Sequence, residues 1–227
     1  PTIWGFQGGD LEGIIQKFDY FLDLGINALY FNPIFRAASN HRYDTIDYFQ
    51  IDPKLGNLDT FQRLIEVAHR NEVKIILDGV FNHTGRGFFA FNDILENNEH
   101  SPYRFWYHIF QFPPQAYGDE KSTDYAAWWG YRSLPKLNSS YPVVRKYIFS
   151  VAKYWLEMGA DGWRLDVPNE IDDDSFRAEF RENVHSINPN AYIVGEIWDG
   201  DARWVDDQHF DGLMNYPLRE RLLGFLN

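Results

Sequence analysis

Apolar positions along this chain alternate between two periods, and the alternation predicts its elements. Ile14, Phe18, Phe21 and Leu22 share one helical face, and Gly25 follows as a natural C-terminal stop. Residues 26–31 then form a strand-length apolar run closed by Asn32-Pro33. Asp59 with Gln62 reads as a capping box ahead of a face made by Phe61, Leu64, Ile65 and Ala68. The next run covers 73–78. A third helix starts near Pro142, places Val144, Ile148, Val151, Trp155 and Met158 on one stripe, and stops at Gly159. It feeds a run over 161–166. A fourth, around Phe176, Phe180, Val184 and Ile187, leads past Pro189 into 192–196, and a last short run covers 210–215.

Strands separated by single amphipathic helices predict right-handed βαβ units and a parallel α/β sheet. An open doubly wound sheet and a closed (β/α)8 TIM barrel both satisfy that pattern. Three carboxylates decide between them. Asp78, Asp166 and Glu196 each end an apolar run, so three strands deliver an acid at their C-terminal ends, the active face of a barrel. No Gly-rich phosphate loop follows any strand, which weakens the dinucleotide-binding alternative. About five strands are visible where a barrel has eight. The expectation is therefore an incomplete barrel, about strands 2 to 6. Residues 1–83 would carry strands 2–3, and 141–227 would carry strands 4–6. Residues 84–140, rich in Phe, Tyr, Trp, Asn and Pro, would form a small inserted subdomain after strand 3.

Composition narrows the chemistry. Within 227 residues, aromatics reach 18%, which fits either a heavy core or faces that stack on sugar rings. A net charge of −12 without clustered Lys/Arg argues against nucleic acid and anionic membrane as partners. Cysteine is absent, which excludes disulfides and thiolate metal sites. No His-x-His or His-Glu-x-x-His occurs, so no catalytic metal is expected. No apolar run approaches a membrane span, and no signal pattern opens the chain.

Asp166 and Glu196 form the natural carboxylate pair. Cleaving an acetal needs one carboxyl to protonate the leaving oxygen and another to meet the oxocarbenium-like centre. Strand ends about 4.8 Å apart suit the roughly 5–5.5 Å separation of a retaining pair. Glu196 lies between Gly195 and Ile197-Trp198, an apolar setting expected to raise its pKa and keep it an acid. Arg164, two residues before Asp166, falls on the same side of its strand and is expected to keep Asp166 ionised. His83 opens the loop after the strand of Asp78, at the same rim.

These strings resemble the α-amylase superfamily of glycoside hydrolases, over nearly the whole chain. DGVFNH (78–83), GWRLDVPNE (162–170) and GEIW (195–198) resemble its first three signature regions, in order and on the expected elements. LPKLN (134–138) is similar to the element that marks the neopullulanase/cyclomaltodextrinase branch. FQGGDLEGI, NHRYDTIDYF and FDGLMNYP also look like that branch. The resemblance implies that Asp166 is the nucleophile and Glu196 the general acid/base. It implies that Tyr43 stacks on the sugar at the cleavage point, with His41, His83 and Arg164 lining it. Asp78 would support Arg164, with Asn82 beside it. Asn169, Glu170 and Trp198 would touch the leaving-group side.

Departures from the pattern are specific. No His-Asp pair follows Glu196, so the family's third catalytic carboxylate is expected downstream of Asn227, and residues 1–227 alone are expected to be inactive. Leu134 stands for a usual Met, and Pro168 for a usual Ala. The resemblance implies α-glucan oligosaccharides as substrates, cut at α-1,4 bonds with room for α-1,6 cleavage and transglycosylation. It implies no cofactor for the chemistry, and it allows structural calcium and a homodimer in the full-length protein. A cytoplasmic location is the expectation, with secretion as the alternative. The rival readings are a 4-α-glucanotransferase, a non-catalytic glucan-binding relative and an unrelated metal-dependent hydrolase.

Overall fold

In the computed structural model, which describes residues 5–118 and 120–226, the sequence runs through α1 (Leu11–Gln16), α2 (Phe18–Asp23), β1 (Ala28–Tyr30), β2 (Phe35–Ala37), β3 (Thr45–Ile51) and α3 (Leu58–Arg70). β4 (Lys74–Gly79) and α4 (Phe89–Asn97) follow, then α5 (Pro142–Glu157), β5 (Gly162–Leu165) and α6 (Asp174–Ile187). The last elements are β6 (Tyr192–Gly195), β7 (Gly212–Leu213) and α7 (Tyr216–Leu226). Five strands form one all-parallel sheet in the order β1-β4-β5-β6-β7. Its strand order follows the sequence, and helices α3, α5 and α6 make the crossovers. This is a curled section of a (β/α)8 barrel.

The central strands are buried on both faces because helices cover the outside. Every residue of β5 is buried, Trp163 and Arg164 included. β5 also runs very close to its neighbour: a Cβ on Gly162 would lie 2.1 Å from the Tyr192 carbonyl oxygen. α5 begins with Pro142 at its first turn, where a missing N–H costs nothing, and Gly159 ends the segment with φ +104. On the buried side of α5, Trp155 packs against Phe35 and Phe61, and its indole N–H donates to the Tyr48 carbonyl at 2.7 Å.

Three features differ from the sequence expectation. The first helix is broken in two at Lys17 (φ −104, ψ 16). The N-cap of α3 is Asn57, whose side chain accepts from Thr60 N–H at 2.9 Å, so the Asp59–Gln62 pair lies inside the helix and does not cap it. The antiparallel pair β2–β3 sits in the loop beyond β1. The excursion at 84–140 packs against the barrel. Its buried Phe88, Phe91, Trp106, Tyr107, Tyr125 and Leu137 join the same core as the barrel helices. The segment 134–138 stitches it back: Leu137 N–H donates to Asn82 O at 2.9 Å, and Thr84 N–H to Pro135 O at 3.1 Å. Among the described residues, no helix is long and apolar enough to cross a membrane.

Candidate active site

Register alone brings the acids together. Asp78 of β4 pairs with Arg164 of β5, and Leu165 pairs with Gly195 of β6. Asp166 and Glu196, each one residue beyond its strand, therefore emerge side by side; Glu196 N–H still bonds Leu165 O at 3.0 Å. Arg164 ties the cluster together. Its Nη1 donates to Asp78 Oδ1 at 2.8 Å and to Asp166 Oδ1 at 2.9 Å, while Nη2 meets Glu196 Oε1 at 2.5 Å. Tyr30, at the end of β1, and Tyr43 donate to Asp78 Oδ2 at 2.7 and 3.2 Å. Tyr216, at the start of α7, donates to Glu196 Oε1 at 2.7 Å. Four strand ends and one helix start thus converge on a single guanidinium.

Three carboxylates around one guanidinium leave the group short of positive charge, and burial sharpens the deficit. Burial pulls Arg164 down, but Asp78 and then Asp166 outweigh it and hold it firmly protonated. Burial pushes the Asp78 carboxyl up, with Arg164 opposing. Burial also pushes Asp166 well up; Arg164 opposes, and Asp78 and Glu196 add to the rise. Arg164 touches Asp166 as the spacing along the strand foresaw, and its charge is shared among three acids.

Aromatic and imidazole rings wall a pocket of about 680 Å³ above these acids. Tyr43 lines it, with His41 stacked beside it at 6.0 Å and accepting the Tyr43 N–H on Nδ1 at 3.1 Å. His83 is fully buried, lines the pocket, and has its Nδ1 3.2 Å from Asn82 Nδ2. Burial lowers its pKa to about 3, so it stands neutral. A neutral ring can both donate and accept a hydrogen bond. Trp128 stacks on His83 at 5.7 Å, and Trp198 closes the far side. Asn169 and Glu170 are placed differently. They line a neighbouring cleft with Trp198, on a short 3-10 turn that opens at Pro168 after Val167 in the left-handed region (φ 36).

Sequence reasoning missed Tyr30, Tyr216 and Trp128. Tyr30 ends a strand just as Asp78 does, so its position carried a readable signal. Tyr216 lies within the string FDGLMNYP but was given no role there, and Trp128 enters through tertiary packing with no local pattern to mark it.

A family model for the α-amylase catalytic domain matches residues 3–227. The chain belongs to that family. Neopullulanase 2 of Thermoactinomyces vulgaris is 48% identical over 225 residues, covering 99% of this chain and 38% of the relative. A Bacillus cyclomaltodextrinase is 45% identical over 226 residues, covering 99% of this chain and 40% of its own. The chain thus spans about two-fifths of the length of these curated relatives. Among solved structures, a protein of Thermus thermophilus superposes with TM-score 0.95 at 55% identity, over 99% of this chain and 47% of its own. The debranching enzyme of Nostoc punctiforme gives 0.89 at 52% identity, over 93% and 44%.

Proposed function

We propose that the full-length protein is a retaining α-glucan hydrolase acting on α-1,4-glucosidic bonds of cyclodextrins, pullulan or maltooligosaccharides, with α-1,6 cleavage and transfer as side activities. One observation carries the reading: Arg164 holds Asp166 and contacts Glu196 where two adjacent strands end, beneath an aromatic-walled pocket. The names of the relatives, neopullulanase and cyclomaltodextrinase, support the substrate class.

In this mechanism Asp166 attacks the anomeric carbon while Glu196 gives its proton to the departing glycosidic oxygen. The covalent glycosyl-enzyme then meets water. Glu196, now a base, takes the water proton, and the bond to Asp166 breaks. Side-by-side strand ends about 4.8 Å apart suit the short carboxyl separation of a retaining enzyme. Tyr43 and neutral His83 would bind the sugar, and Asp78 would hold Arg164 in place.

Proton NMR of the first products of the full-length protein tests the stereochemistry: α-configured reducing ends are expected, and β-configured ends would sink the retaining assignment. Glu196→Gln should lower kcat by about 10²–10⁴-fold while glucan affinity survives. Unchanged turnover would exclude Glu196, and products longer than the substrate would favour a glucanotransferase.

A further inference from the structure

The turn that follows Asp166 is held in a conformation its own residues resist. Val167 has φ 36 and ψ 50, in the left-handed region that a β-branched side chain rarely enters. Pro168 beside it disfavours the right-handed alternative. With the chain turned this way, the buried Val167 N–H donates to Glu196 Oε2 at 3.3 Å. Arg164 and Tyr216 meet the other oxygen, Oε1. Both oxygens of this carboxyl are therefore oriented, one by side chains and one by backbone.

A buried cation braces that turn from behind. Arg177, in the first turn of α6, donates through Nη1 to Pro168 O at 2.9 Å and to Ile171 O at 3.4 Å. Its Nη2 meets Asp174, and its guanidinium lies over the Trp204 ring at 4.9 Å. Trp204 belongs to a short 3-10 turn after β6, Ala202–Trp204, so Arg177 joins the segments that follow Asp166 and Glu196. This guanidinium is only 3% exposed. Burying a charge is costly unless its partners are fixed, and two of these partners are carbonyls of the strained turn.

We infer that Arg177 is a positioning residue for the acid/base: it braces the left-handed turn at Val167 and so keeps the Val167 N–H on Glu196 Oε2. The inference rests on the retaining reading above. In the first step Glu196 gives its proton to the glycosidic oxygen, the bond from that oxygen to the anomeric carbon breaks, and the carboxyl becomes a carboxylate. A hydrogen bond to Oε2 strengthens as that charge develops, so it stabilises the transition state more than the ground state. Its effect on rate scales with how much the leaving group needs the proton.

The test uses the full-length protein with two donors. Phenyl α-maltoside has a leaving group that needs protonation, and 2,4-dinitrophenyl α-maltoside has one that departs as an anion. For each donor kcat/KM reports formation of the glycosyl-enzyme, and the ratio of the two values does not depend on the amount of folded enzyme. Arg177→Met should lower kcat/KM about tenfold on the phenyl donor and less than about twofold on the dinitrophenyl donor. Arg177→Lys keeps the charge and one donor, should lose about threefold on the phenyl donor, and carries the test if Arg177→Met does not fold. Equal losses on both donors, or no loss on either, overturn the role of Arg177. Glu196→Gln in the same assay should separate the donors more widely. If it treats them alike, the acid/base reading fails and this inference with it.

Discussion

Asp78 touches no position where a substrate bond would break, yet its replacement by Asn should slow the reaction measurably. Its carboxylate accepts from Arg164 Nη1 at 2.8 and 3.0 Å and from the hydroxyls of Tyr30 and Tyr43 at 2.7 and 3.2 Å. An amide of the same shape can turn its oxygen to Arg164 and donate to the two hydroxyls, which rotate to accept. What it cannot supply is the second oxygen or the charge facing Nη1. One charge-assisted hydrogen bond is worth about 1.5–3 kcal/mol, and Arg164 uses the same nitrogen to hold Asp166. A loss of about 2 kcal/mol in the transition state is a fall of about 30-fold in kcat/KM.

Stability should move the other way, or hardly at all. Burial raises the folded pKa of Asp78, so its carboxyl works against folding increasingly as pH rises above its unfolded value. Asn removes that cost, and Arg164 keeps Asp166 and Glu196 as partners. Initial rates and urea denaturation of the full-length protein, run beside Asp161→Asn, separate the two effects. Asp161 sits at the opposite end of the sheet and accepts from Ile75 N–H, Lys74 and His69 at 2.9, 2.9 and 2.8 Å. Although burial pushes the other way, these bonds hold its pKa low. Its stabilisation is present above the unfolded pKa and is lost as pH falls through the folded one. Asp161→Asn should therefore cost about 2 kcal/mol of stability and leave kcat unchanged. A threefold or smaller loss in Asp78→Asn, or a stability loss matching that of Asp161→Asn, would refute the positioning argument.

Other outcomes follow from the same geometry. Gly162→Ala puts a Cβ 2.1 Å from a backbone oxygen of the neighbouring strand, and a central strand cannot step aside; a loss of about 3 kcal/mol is expected by thermal or chemical unfolding. Asn57→Ala should cost about 1 kcal/mol, whereas Asp59→Ala should cost clearly less, because only Asn57 caps α3. His83 should stay neutral by imidazole NMR down to about pH 4, given its folded pKa of about 3. Because that value is depressed, the unfolded chain binds the extra proton. Stability should then fall by up to about 1.4 kcal/mol per pH unit as pH drops below 6.5, and His83→Gln should remove that slope.

Much of this protein is written in its local pattern. Helix periodicity places α3, α5 and α6, because each must bury one stripe against the sheet. Strand-length runs ending in Asp78, Asp166 and Glu196 announce a parallel sheet with chemistry at one rim, since side-chain alternation and strand direction follow from backbone geometry alone. Arg164 was assignable for the same reason, two residues before Asp166 on one face. Other features depend on distant partners. Asn57 takes the cap that the Asp59–Gln62 spacing pointed to, because α3 starts two residues earlier. Tyr30, Tyr216 and Trp128 join the site only when β1, α7 and the 84–140 excursion fold against the strand ends. The sharing of Arg164 among three carboxylates was likewise decided by register. Pairing Asp78 with Arg164 and Leu165 with Gly195 fixes distances no sequence spacing contains, and at those distances burial outweighs a single positive charge.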